Sequence, residues 1–163
     1  DRTITISGLS KTFSVTGWRL GYVIAPPPLS NAVRKVHDFL TVGAPAPLQE
    51  AAATAMEQAD AYYPELVAMY ETKRETLLTA LRAAGLVCHS PEGAYYIMGD
   101  FRGLRFAGSD VDFALHLTKN AGVAPVPGSS FYQPGGEGSH LGRFTFSKSE
   151  ETLAEAARRL AAL

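Results

Sequence analysis

The chain has 163 residues, 46% of them hydrophobic and 19% charged, with 15 Lys+Arg against 16 Asp+Glu and a net charge of −1. That balance excludes a polybasic nucleic-acid or membrane-surface protein, the apolar fraction excludes a disordered chain, and no apolar run approaches the ~18 residues that span a bilayer. Neither a nucleic-acid nor a membrane partner is therefore expected, and a single cysteine, Cys88, excludes an intrachain disulfide framework and suits a reducing cytoplasm.

Because the chain opens on Asp1 and runs at once into a strand-like stretch, it is expected to be a piece of something longer. Residues 3–7 alternate Thr and Ile, ending in Ser, the period of a strand. A Gly-Leu-Ser-Lys-Thr loop follows, then a second strand candidate at 18–25, stopped by Pro26-Pro27-Pro28. Ser30 is placed as the N-cap of a helix over 31–40, with Val33, Val36, His37 and Leu40 on one face. A kinked stretch, 41–47, precedes an Ala-rich helix at 48–59.

Pro64 suits the first turn of a long helix ending near Gly85, with Leu66, Met69, Tyr70, Leu77, Leu78 and Leu81 along one stripe. Beyond Gly85 short strands (86–89, 94–101, 142–147) alternate with helices (111–120, 150–163), and 123–131 reads as a short strand entering a Pro/Gly-rigidified loop. A boundary therefore falls inside the long helix, with a small α+β lobe behind it.

The densest chemistry lies between Ser7 and Tyr22, around Lys11. A phosphate-cradling P-loop would need glycine at positions 5 and 10, which are Thr5 and Ser10. A Ser-x-x-Lys nucleophile pair would need serine at position 8, which is Gly8. A lysine that forms a Schiff base remains. It needs an amine at a strand end, in a partly desolvated place that favours its neutral form, and a second cation nearby, here Arg19, acts in the same direction while holding an anion.

Gly8-Leu9-Ser10-Lys11, Ser14-Val15, Gly17 and Arg19-Leu20-Gly21 resemble the pyridoxal-phosphate attachment pattern of class I/II aminotransferases at every defined position. The resemblance implies that Lys11 carries pyridoxal 5'-phosphate as a Schiff base, that Arg19 binds its phosphate, and that Ser7 or Ser10 touches the same phosphate. Gly142-Arg143-Phe144-Thr145-Phe146, before a helix opened at Ser149, resembles the family's late strand and makes Arg143 the residue for the substrate α-carboxylate, a bidentate task that suits a planar guanidinium. Pro91-Glu92-Gly93-Ala94-Tyr95-Tyr96 and Pro127-Gly128-Ser129-Ser130-Phe131 resemble two further family segments near the active-site mouth.

The resemblance covers nearly the whole chain but only the C-terminal part of the family. It implies an α/β fold of type I. Residues 1–63 would close a large cofactor-binding domain, 64–84 would form an interdomain helix, and 85–163 a small α+β domain. It also implies a cytoplasmic homodimer that transfers an amino group between an amino acid and a 2-oxo acid, with Lys11 moving the proton, and a look closest to the kynurenine/methionine branch. A β-elimination lyase and a non-catalytic effector module of a regulator remain alternatives; for the latter no basic helix-turn-helix pattern appears. His37, His89, His116 and His140 lack ligand spacing, so no metal is expected. Cys88 reads as a small buried hydrophobe, and Trp18 as a packing anchor.

Overall fold

The computed structural model describes residues 2–133 and 135–162. Two units share the chain, residues 1–63 and residues 64–163. Helices and strands mix in both, as an α/β chain requires.

In the first unit, β1 (Thr5–Gly8) pairs antiparallel with β2 (Gly21–Ile24) in the register Thr5↔Ile24 to Gly8↔Gly21. The intervening loop holds the single-turn helix α1 (Leu9–Thr12) and a 3-10 turn at Thr16–Trp18. The second strand starts later than the expected residue 18 because Arg19 takes a left-handed φ of 54°, outside the extended region of a strand. Trp18 accordingly sits in the turn at 36% exposure instead of anchoring a core.

Helix α2 (Pro27–Thr41) starts four residues earlier than expected, because the prolines that end the strand also occupy the N1/N2 positions of a helix, where φ is already correct. Ser30 therefore lies inside the helix, and its hydroxyl donates to the Ala25 carbonyl at 2.9 Å. Helix α3 (Ala46–Glu57) opens on Pro47 in the same way. The small core of this unit is Leu9, Leu20 and Ala52, with Phe13, Val15, Ala44 and Leu48 packed against it.

Helix α4 (Tyr62–Ala83) buries Leu77, Leu78 and Leu81. It is followed by β3 (Val87–Cys88), β4 (Tyr96–Asp100), α5 (Asp110–Asn120), β5 (Val126–Pro127), β6 (Leu141–Thr145) and α6 (Glu150–Leu160). The four strands form one antiparallel sheet in the order β3-β4-β6-β5. One face of β4 and β6 contributes Ile97 and Phe144 to a core with Phe101, Phe113, Phe146, Leu117, Leu153 and Leu160. Period-2 alternation leaves Tyr96 and Arg143 half-buried, with opposite parity to those core residues. Ser149 caps α6, its hydroxyl accepting from the Thr152 N–H at 3.3 Å.

Candidate active site

Lys11 lies in α1, which follows β1 directly, and Arg19 lies two residues before the start of β2, so one hairpin holds both cations. Their apolar neighbours fix this arrangement. Leu9 and Leu20 are both buried, and the Leu9 N–H donates to the Leu20 carbonyl at 3.1 Å, closing the loop at its base. Gly21 is required there, since a Cβ would meet the Ser7 carbonyl oxygen at 2.7 Å.

Within the loop the Thr16 hydroxyl donates to the Ser10 carbonyl at 3.2 Å, and Arg19 Nη1 donates to the Thr16 carbonyl at 3.0 Å. Ser14 joins Arg19 in the left-handed region, with φ 56°. Two such residues in one short loop are the kind of backbone cost that a functional constraint sustains. Tyr62 contributes a tie that the sequence reading missed. Its hydroxyl donates to the Thr12 carbonyl at 2.6 Å, and its ring stacks on Phe13 at 5.6 Å. A tyrosine fifty residues away carries no local signal for that role.

Ser7 and Ser10 are half-buried, whereas Lys11 and Arg19 are exposed. The expected partial desolvation of Lys11 is thus not supplied by residues of this loop.

Arg143 belongs to the second unit. Two aromatic rings lie against its guanidinium, its Cζ lying 4.3 Å from the Phe131 centroid and 5.2 Å from that of Tyr96. Such contacts orient a guanidinium without using its N–H donors. Phe131 ends a 3-10 turn, Gly128–Phe131, that follows directly from β5. Strand β5 pairs with β6 at Val126↔Arg143 and Pro127↔Gly142. Gly128 is packed against the Gly138 carbonyl and Leu141 so closely that any Cβ would collide with them.

The sequence also gave no hint of Asp110, which reads as one more acid in a helix N-terminus. It is 4% exposed, and its Oδ2 accepts from the Ser129 N–H at 2.7 Å. Burial pushes its carboxyl up, but donors from the Ser129 side chain and backbone and from the Val111 and Asp110 N–H groups outweigh that and hold it below the usual carboxylate range. Among the described residues no group of three or more His, Cys, Asp or Glu could hold a metal ion, and no helix is long and apolar enough to cross a membrane.

The family model for aminotransferase class I and II matches residues 1–160. The chain belongs to this family. The class I/II aminotransferase chain is 38% identical to a kynurenine–oxoglutarate transaminase of Dictyostelium discoideum, over 96% of its own length and 40% of that protein's. It is 36% identical to the methionine aminotransferase of Escherichia coli, over 98% of its length and 41% of that protein's. Among solved structures, the N-succinyldiaminopimelate aminotransferase of Mycobacterium tuberculosis superposes with a TM-score of 0.91 at 36% identity, covering 99% of this chain and 42% of that one. The aminotransferase chain therefore spans about two-fifths of the length of the relatives it matches.

Class I/II aminotransferases are pyridoxal-phosphate enzymes. The residues present fit that group. An amine able to meet an aldehyde, a guanidinium able to meet a phosphate dianion, and two serine hydroxyls all lie on or beside one closed hairpin loop.

Proposed function

We propose that this chain carries the cofactor lysine and the substrate-carboxylate arginine of an enzyme that moves an amino group between an amino acid and a 2-oxo acid. The observation that carries the reading is the Gly8↔Gly21 closure of the hairpin, which places Lys11 and Arg19 on one loop. In this reading Lys11 attaches pyridoxal phosphate, Arg19 holds its phosphate, and Ser7 or Ser10 adds a hydroxyl donor to the same oxygens. Bound there, the cofactor supplies an electron-withdrawing ring that takes up the electron pair left at the substrate α-carbon. The Lys11 amine is the base that removes the α-carbon proton and, as its conjugate acid, the group that returns one. Arg143 binds the substrate α-carboxylate through its N–H edges, while Phe131 and Tyr96 keep its charge in place.

The division of the chain after Tyr63 supports residues 1–63 as the end of a large cofactor domain; in the same reading 64–84 is the linking helix and 85–163 the small domain, although Leu77, Leu78 and Leu81 of that helix pack into the core of the second unit. The apolar surface of residues 1–63 supports a homodimer. The lone buried thiol of Cys88 supports a cytoplasmic setting. The test is borohydride reduction of the enzyme that carries this chain, loaded with pyridoxal phosphate, followed by peptide mass spectrometry. The adduct is expected on Lys11, and Lys11→Ala is expected to abolish transamination. An adduct on Lys35 or Lys73 in place of Lys11 would overturn the assignment.

A further inference from the structure

Asp110 is the one charged side chain that is buried among the described residues. Burying a carboxylate is costly unless donors compensate it, and the cap of the helix it opens is built by other residues. The α5 N-terminus is already closed by a reciprocal capping box. The Ser109 hydroxyl accepts from the Asp112 N–H at 3.2 Å, and the Asp112 carboxylate accepts from the Ser109 N–H at 3.0 Å. Besides accepting from the Val111 and Asp110 N–H groups at the helix start, Asp110 reaches nineteen residues along the chain to the Ser129 N–H.

Ser129 is the second residue of the Gly128–Phe131 turn, which the β5–β6 pairing and the Gly128–Gly138 contact hold at its start and the Tyr132 N–H, donating to the Ser129 carbonyl at 3.3 Å, closes at its end. At the far end Phe131 is 47% exposed, so burial does not fix its ring. The hydrogen bonds that Ser129 gives to Asp110 tie the turn to α5. They are ion-assisted, and so among the stronger kinds of hydrogen bond.

We propose that Asp110 is a positioning residue for carboxylate recognition. By holding the Ser129 N–H it fixes the Gly128–Phe131 turn, and through the Phe131 ring it fixes the Arg143 guanidinium. The proposal rests on the reading of Arg143 as the carboxylate site. Asp110 touches neither substrate nor cofactor in this scheme and acts only through the turn.

Two measurements test it on the enzyme that carries this chain. The first is the NMR shift of the Arg143 Nε–H proton, which the Phe131 ring current displaces. The displacement is expected to disappear in Phe131→Leu and Asp110→Ala. It should persist in Asp110→Asn, which keeps an oxygen acceptor for Ser129, and in Ser109→Ala, which loses the helix cap but not the tie. The second is the affinity for 3-phenylpropionate, a carboxylate that cannot react. Arg143→Ala is expected to abolish binding, Asp110→Ala and Phe131→Leu each to weaken it about tenfold, and the double variant to be no weaker than either single one. Ser109→Ala should bind as wild type despite a lower Tm.

Wild-type affinity in Asp110→Ala, or additive losses in the double variant, would overturn the proposal while leaving Arg143 as the carboxylate site. So would equal losses in Asp110→Ala and Ser109→Ala, which mark a purely structural role. If Asp110→Ala fails to fold, Asp110→Asn and Phe131→Leu carry the same comparison, and an Arg143 proton that keeps its wild-type displacement in Phe131→Leu, or loses it in Asp110→Asn, overturns it. Binding unaffected by Arg143→Ala, or no saturable binding to the wild type, instead removes the Arg143 reading itself.

Discussion

Ser14 and Arg19 hold left-handed backbone at φ 56° and 54° without being glycine. That conformation costs a residue with a Cβ about 1–2 kcal/mol. Arg19→Gly is therefore expected to leave Tm unchanged or raise it while sharply weakening pyridoxal-phosphate affinity. Thermal unfolding and a cofactor fluorescence titration read the two effects separately, and unchanged affinity would remove Arg19 from the phosphate. Cys88 offers a test in pH. Burial pushes its thiol from an ordinary 9.0 up to about 11, against the opposing Arg82 charge. The unfolded thiol ionises first as pH rises, so the contribution of Cys88 to stability is complete below pH 9 and is lost between about 9 and 11. The denaturation midpoint of the wild type should accordingly fall more steeply over that range than that of Cys88→Ala.

Turns and helix starts separate what the sequence showed from what it hid. The long helix was legible because Leu77, Leu78 and Leu81 share a face at helical spacing, and all three are buried in α4. The α2 start was not, because proline both terminates strands and opens helices, and only the path of the chain selects between them. Arg19 was legible as a motif residue, but its left-handed φ was not, since nothing in an Arg-Leu-Gly run demands it. Asp110 and Tyr62 escaped because their partners lie 19 and 50 residues away. Glycines of one motif type also differ in a way that spacing does not reveal. Gly17 has nothing within 4 Å of an added Cβ, whereas at Gly128 the Cβ would lie 2.7 Å from Leu141. Gly17→Ala is expected to melt as the wild type, and Gly128→Ala to lose about 1–3 kcal/mol by denaturant titration.

At the scale of the whole molecule the two units differ in how much apolar surface they bury. Helix α2 buries none of its residues, with Phe39 at 93% and Leu40 at 75% exposure, and Ile6 and Ile24 of the hairpin are exposed as well. Surfaces of this kind associate. The 163-residue chain is expected to sediment as a concentration-dependent oligomer, and Phe39→Glu to shift it toward monomer. Residues 64–163 build their core from three helices and three strands, whereas among the described residues of 1–63 the buried apolar side chains are Leu9, Leu20, Ala52 and Ala59. Local opening free energy follows buried apolar contact. Amide protons of β4 and β6 should thus exchange with deuterium orders of magnitude more slowly than those of β1 and β2. The hairpin that carries Lys11 is in this sense the soft part of the chain, able to open and reclose many times while the sheet behind Arg143 stays shut.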